Sequence, residues 1–447
     1  MSDGITRRDA AKMVAAVPLG ATAIVRAAPE QLVFGLIGAG AWGQYLLGHA
    51  NRIASGRCAA VCDVDEASLR QAAGSARDKP RPYSDYRRLL ERKDIQAVLV
   101  ATPHYTHFPL TRDALLAGKH VQCEPPLAFK VEEIQALRDT ASRTGRIVQV
   151  GLQRRYSRFY QTARQMVAKG FLGDITNIQA QWHRAWERPL DRGRPRESNW
   201  RFYREFSGGL TAELGSHQID VASWMFNDAP EFVTGVGALD WKKDGRDVYD
   251  NVALIFRYPE GRQMTWSAIS TNKHLPTFGG TRSEAGEIVM GAEGTIEITL
   301  GNEEQPAIGL WFYEPNKVKV STAEAAKEIE RVAGATVAST PGGGFRGLPI
   351  LLDRDQFTGE ESFLQRELKY ARRWLYAKGI AVPEEDRHPV TAELESFFEC
   401  CREGQRPKAH LEAGLDNSAA VILANRSMDQ GRRVQFGELE RPTGKPQ

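Results

Sequence analysis

The chain has 447 residues, 42% of them hydrophobic and 26% charged, which is enough apolar material for substantial cores and excludes the disordered class. Its 59 Lys and Arg against 56 Asp and Glu leave a formal charge of +3 without a long basic run, so a small molecule is a better expected partner than nucleic acid. At roughly 150 residues per domain two or three domains are expected, and no apolar stretch reaches the roughly 18 residues of a membrane-spanning helix, so no membrane partner is expected.

Residues 1–28 read as an export signal. Thr6-Arg7-Arg8-Asp9-Ala10-Ala11-Lys12 sets paired arginines before a weakly apolar run from Met13 to Val25, and small residues follow at Ala27 and Ala28. Pro18 and Gly20 would interrupt an ordinary amphipathic helix there. The expected destination is the periplasm or the exterior by the twin-arginine route, which carries folded proteins. The five cysteines do not form a disulfide framework in this reading. Cys58 and Cys62 lie on one strand about 13 Å apart, too far to bond, and the cysteines are read as buried thiols.

The next segment has the pattern of a nucleotide fold. An apolar strand, Leu32 to Ile37, runs into Gly38-Ala39-Gly40-Ala41-Trp42-Gly43 and then into a helix over 44–54. Gly38 permits the tight turn, Gly40 lets backbone approach a pyrophosphate, and Gly43 lets helix and strand pack closely, while the helix N-terminus faces the phosphates. A second strand ends at Asp63, twenty residues beyond Gly43, where a carboxylate accepts from a ribose diol and repels a 2′-phosphate. NAD is therefore expected over NADP, held by Gly38, Gly40, Ala41, Trp42, Gly43 and Asp63. Helices over 66–76, 111–117 and 131–144 alternate with strands over 97–101, 120–123 and 147–150, which predicts an α/β class with a parallel-sheet Rossmann domain over 30–150.

Beyond Val150 the alternation stops. A helix over 158–169 precedes strand-like runs over 175–187, 232–241, 252–258, 264–269 and 295–300, so residues 151–440 read as an α+β domain for substrate binding and oligomerisation. On the first of those strands Trp182, Arg184 and Trp186 share a face suited to stacking on a sugar ring, although packing against a helix or neighbour would place them there equally well. The run from Gly208 to Trp224 reads as a helix on which Glu213 and His217 meet four residues apart, with Asp220 and Trp224 continuing the stripe. A carboxylate beside an imidazole raises its basicity, which suits proton transfer near neutrality. Residues 322–347 read as a mobile insertion and 361–378 as a packed helix. No His/Cys cluster has zinc spacing, so no metal is expected.

Several words in the sequence together resemble the glucose–fructose oxidoreductase / inositol dehydrogenase / MocA family. They are Val98-Leu99-Val100-Ala101-Thr102-Pro103 with His107, Ala117-Gly118-Lys119-His120-Val121-Gln122-Cys123-Glu124, Gly151-Leu152-Gln153-Arg154-Arg155, Gly173-Asp174-Ile175, the run from Glu213 to Asp220, and Gly291-Ala292-Glu293-Gly294-Thr295. The resemblance covers about residues 30–300, with a further match near Leu423-Ala424-Asn425. It implies a dinucleotide domain followed by an α+β domain on a large open, mostly antiparallel sheet, in a homo-oligomer (dimer or tetramer) that acts on sugars, polyols and their relatives. It implies cofactor contacts at Thr102, His107, Glu124 and Gln153 and a catalytic His217 assisted by Glu213, a position where most relatives carry aspartate. Arg154, Tyr156, Trp182, Tyr203 and Asp220 are candidates to border the substrate.

One word departs from the family. Glu124-Pro125-Pro126 stands where relatives carry Glu-Lys-Pro, and Pro125 offers neither the amine nor a backbone N–H. Lys119 and Lys130 lie away from that position and are expected to be solvated. Exported NAD-dependent glycosidases of the family also lack the lysine, which leaves three readings: an NAD-dependent sugar or polyol oxidoreductase, a glycosidase that uses NAD without consuming it, and a binding protein that has lost its chemistry.

Overall fold

Apolar strands punctuated by glycines and acids build the first sheet of the computed structural model, which describes residues 31–184, 189–272, 284–299, 308–313, 348–349 and 387–439. The segment read as an export signal, Trp186, Glu187, the insertion expected over 322–347 and the helix expected over 361–378 lie outside the described residues. Strands β1 (Leu32–Ile37), β2 (Gly56–Cys62), β3 (Arg81–Tyr83), β4 (Ala97–Val100), β5 (His120–Cys123) and β6 (Val148–Val150) are all parallel, in the order β3-β2-β1-β4-β5-β6. All four residues of β4 are buried, as expected for a strand covered on both faces. The order reverses between β1 and β4, and at that point a doubly wound sheet opens its ligand crevice.

Helices α1 (Ala41–Ala50), α2 (Glu66–Ser75), α3 (Tyr86–Leu90), α4 (His104–Leu116) and α5 (Val131–Thr144) cover this sheet. Asp65 and Asp85 cap α2 and α3 by accepting from Ser68 N and Arg87 N. Helix α4 begins seven residues before the expected 111, because Pro103 serves as its N-cap and the interior Pro109 costs one backbone donor without ending it. His107 is thereby placed on a helix.

A 3₁₀ turn (Gln153–Tyr156) and α6 (Arg158–Ala168) lead into the second sheet. Its strands are β7 (Ile175–His183), β8 (Phe232–Ala238), β9 (Asn251–Arg257), β10 (Gln263–Ile269), β11 (Ala285–Gly291), β12 (Gly294–Thr299), β13 (Ile308–Tyr313), β14 (Leu348–Pro349) and β15 (Val434–Gln435). The order is β14-β13-β12-β11-β7-β10-β9-β8-β15, antiparallel except for the β7–β10 pair. Strand β8 stops short of 241 because Asp250 gathers the N–H groups of Asp240, Trp241 and Lys242 into a turn. On β9, Val252, Leu254 and Phe256 are buried while Ala253 and Ile255 are exposed. The buried side packs with α7 (Ser216–Phe226) and α9 (Leu411–Gln430), and the other side is open, as the family resemblance implied.

Helix α8 (Pro389–Glu403) returns the chain to the first sheet. Phe398 stacks on Phe34 at 5.1 Å and fills the space over Gly56, where a Cβ would lie 2.3 Å from its ring. Helix α9 ties the two sheets together: Ser418 Oγ accepts from Leu127 N (2.9 Å), Asn417 Nδ2 donates to Ser216 O (2.6 Å), and Asn425 Nδ2 donates to Gly208 O (2.9 Å). All five cysteines are free thiols, and Cys58, Cys62, Cys123 and Cys400 are buried.

Candidate active site

The glycine loop has the shape of a phosphate cradle. Gly38 adopts φ 93°, where a Cβ would lie 2.4 Å from Ala101 O, and a Cβ on Gly43 would lie 1.9 Å from Gly38 O. Nothing stands within 4 Å of a Cβ on Gly40, so the loop is open there, at the N-terminus of α1. Asp63 Oδ2 accepts from Ala39 N (2.6 Å) and Oδ1 from Asp65 N (2.8 Å), so this carboxylate shapes the loop and keeps further lone pairs for a ligand. Gln153 Oε1 is buried without a hydrogen-bond partner, an acceptor left for a bound molecule. A tight loop, an anionic strand end and an orphaned buried acceptor fit a dinucleotide.

Two expected neighbours of this cradle act as braces. The His107 ring lies between Pro126 O (Nδ1, 2.9 Å) and Thr102 O (Nε2, 2.8 Å), and so joins the segments that follow β4 and β5. The Thr102 hydroxyl accepts from Thr106 Oγ1 at 2.7 Å. No arginine adjoins Asp63 in sequence, but the fold brings Arg194 to Asp65 at 2.9 Å, two residues from Asp63. Glu124 follows β5 with its carboxyl against Gly151, whose Cβ would lie 2.4 Å from Glu124 Oε1.

His217 lies on α7, one residue after Ser216. Through Asn417 and Ser418 of α9, that segment is tied to Leu127, close behind Pro125. His217 is partly exposed, but its Nδ1 is buried without a hydrogen-bond partner. The Trp182 ring is 6.2 Å away, flanked by the guanidinium groups of Arg154 (5.3 Å) and Arg184 (4.9 Å). Arg154 pairs with the fully buried Glu287 through Nη1, and its Nη2 is buried and unpartnered. Glu287 also accepts from Tyr160 Oη (2.6 Å) and Gln218 Nε2 (3.0 Å).

The expected support of His217 by Glu213 is corrected by this geometry. Thr211–Gly215 form a π-helical turn, closed by Ser216 N to Thr211 O, and the wider turn breaks the four-residue register. Glu213 Oε2 instead accepts from Arg201 Nε at 3.1 Å. Burial, then Arg154 and Arg184, push the His217 pKa down to about 3, the opposite of the expected rise. The imidazole is a neutral acceptor among cations.

Two other expected site residues have their polar ends satisfied within the fold. Asp220 is bound by both nitrogens of one edge of Arg155 (2.7–3.1 Å) and is 3% exposed, so it locks the 3₁₀ turn to α7. Tyr156 is buried, with Oη donating to Gln149 Oε1 (2.9 Å) and accepting from Ala409 N (3.2 Å). Tyr203 stacks with Arg196 at 4.0 Å. Lys119 is buried, not solvated, and its Nζ donates to Arg92 O and Ile95 O. Lys130 is exposed at the start of α5, as expected. The sequence reading missed Glu287 and Glu393. For Glu287 the signal was an acid within the apolar run Ala285-Gly286-Glu287-Ile288-Val289. Among the described residues no group of three metal-ligating side chains occurs.

Fold and cradle together define a dinucleotide-binding protein with a second domain on an open sheet. The family description "Oxidoreductase family, NAD-binding Rossmann fold" matches residues 32–152 and "GFO/IDH/MocA C-terminal domain" matches 160–297, together more than half the chain. The chain belongs to the GFO/IDH/MocA oxidoreductase family. It is 33% identical over 194 residues to "Glycosyl hydrolase family 109 protein 2" of Shewanella sp. strain ANA-3, covering 40% of this chain and 42% of that protein, less than half its length. It is 27% identical over 248 residues to the inositol 2-dehydrogenase of Rhizobium meliloti, covering 55% of this chain and 70% of that one. The aldose-aldose oxidoreductase of Caulobacter crescentus, solved with glycerol, has the same fold, with TM-score 0.65 and 19% identity over 91% of this chain and 100% of that one.

Proposed function

We propose that the protein is an NAD-dependent oxidoreductase acting on a hydroxyl of a sugar, polyol or glycoside. The observation that carries this reading is His217, a neutral imidazole with an orphaned Nδ1, set beside an aromatic ring and two guanidinium groups and linked through α9 to the segment after Glu124. When bound, NAD accepts hydride from the carbinol carbon. His217 accepts the hydroxyl proton, and Arg154 and Arg184 lower the cost of negative charge on the oxygen, which supplies positive charge where Pro125 has none. Trp182 offers an apolar face for the ring carbons.

A second reading has a specific support. The Shewanella relative named as a glycosyl hydrolase and the absence of an amine at Pro125 both favour transient oxidation, elimination, hydration and return of the hydride. The export reading of residues 1–28 points the same way, because a cofactor loaded before export has no pool outside with which to exchange and is regenerated in place. The two readings separate when purified protein is incubated with a glycoside and polyol panel in D₂O, following NADH absorbance and product masses. Stoichiometric NADH over many turnovers of added NAD establishes the plain dehydrogenase. Bond cleavage with deuterium beside the oxidised carbon and no net NADH establishes the closed cycle. Ligand binding with neither would leave the lapsed binding protein. We also read the open face of the second sheet, where Val236 and Ile255 are exposed, as the contact of a homo-oligomer, a dimer or tetramer.

Preference for NAD over NADP is tested at Asp63. Asp63→Ala is expected to raise both Kd values, because Ala39 N and Asp65 N lose their acceptor, and to raise that of NAD more. Calorimetry on the unmodified protein showing tighter NADP than NAD would place the 2′-phosphate on Arg194 and end this claim.

A further inference from the structure

The ends of β5 and β6 present a buried polar face that the reaction above does not use. Gln122 and Glu124 are two residues apart and share one face; Gln149 pairs with Gln122 across the strands, and Gly151 lies against the Glu124 carboxyl. Helix α8 covers this face, where Gln149 Nε2 donates to the backbone oxygen of Glu393 at 3.0 Å. Glu393 is 1% exposed, and its Oε1 has no hydrogen-bond partner; nor has Gln122 Nε2 on the same face. Glu124 is partly exposed.

The groups that act on the two carboxyls are few. Trp42 of α1 approaches Glu124 and favours its ionised form, Glu124 itself acts on Glu393, and Tyr156 and Cys123 lie beside them, both pushed well up by burial and therefore neutral. Among the described residues, no lysine or arginine is among the charges acting on either one. Burial raises Glu124 to about 8, and burial together with the charge of Glu124 raises Glu393 well above the usual carboxylate range. Two such groups without a cation cannot both ionise at neutral pH.

We propose that Glu124 and Glu393 form a proton-exchanging counter-charge for the oxidised nicotinamide ring, with Glu124 facing the ligand and Glu393 positioning it from behind. The proposal rests on the dinucleotide reading. The glycine loop and Asp63 occupy the β1–β2 half of the crevice, so the other end of a dinucleotide extends over the ends of β4 to β6, where Glu124 stands. Only the oxidised ring is cationic. When it binds, Glu124 releases its proton to solvent and Glu393, still protonated, donates to the resulting carboxylate. When hydride cancels the ring charge, Glu124 takes a proton back from solvent, and no electron passes through either carboxyl.

Calorimetry at pH 7 in two buffers of different ionisation enthalpy counts the protons. The oxidised cofactor is expected to release most of one proton per site, the reduced cofactor none, and Glu124→Gln is expected to abolish the release. Glu393→Leu is expected to weaken binding of the oxidised form about tenfold more than of the reduced form, and Glu393→Gln, which keeps a donor, to restore it. Equal proton counts for the two forms, or release that persists in Glu124→Gln, overturn the proposal alone. Failure of both forms to bind sinks the dinucleotide reading with it. Cofactor-free protein gives an independent measure: the folded pKa lies above the unfolded one, so wild type must lose stability relative to Glu124→Gln as pH rises from 5 to 9. Parallel curves overturn the shared proton.

Discussion

His217→Ala is expected to lower kcat by roughly 10²-fold, the low end of a general base's usual contribution because its depressed pKa makes it a weak base, and to leave NAD affinity unchanged because the glycine loop does not use that side chain. The wild-type pH profile carries a second mark of the same residue. Its pKa lies near 3, below that of an ordinary histidine, so the neutral form is fully populated from pH 5 upward and is lost only as pH falls toward 3. The profile of kcat/KM for the free enzyme therefore lacks the acid limb between pH 6 and 7 that an unperturbed imidazole produces. Variant activity within about threefold of wild type, or about 0.6 kcal/mol of barrier, would return His217 to a packing role.

Arg154→Ala is expected to destabilise the fold by about 3–5 kcal/mol, since it strands the fully buried carboxylate of Glu287. Urea denaturation reads this as a lower midpoint at unchanged slope. The double variant Arg154→Met, Glu287→Gln removes both charges and is expected to recover most of the loss, because Tyr160 and Gln218 retain a neutral partner. It remains slow in turnover, having lost the free Nη2. A single-variant loss within about 1 kcal/mol would show that the pair behaves as a solvated surface bridge.

The nucleotide half was legible because its signals are local. Strand, glycines, helix and acid follow one another within a few dozen residues, each needed by the turn beside it, and the fold matches them closely. The site on the second domain was legible only in part. A helical period places Glu213 on the face of His217, and nothing in composition reveals the π turn at Thr211–Gly215 that moves it to Arg201. Arg194 reaches Asp65 from a remote loop, and Glu393 reaches Gln149 of β6 from the far end of the chain; pairings of such long separation leave no local trace. In the sequence Asp220 continues the His217 stripe and Tyr156 is a candidate to border the substrate, but a bidentate arginine and a buried amide network already occupy them.

The return of α8 to the first sheet bears on how the protein is made. During synthesis the six parallel strands leave the ribosome long before Val390, Leu394, Phe397 and Phe398, which complete the packing around Leu32, Phe34 and Leu36. The nucleotide half is thus not a cotranslational unit. Its apolar face waits, in need of a chaperone or of transient cover, until nearly the whole polypeptide has emerged. Residues 32–152 produced alone are expected to leave that face uncovered and to aggregate.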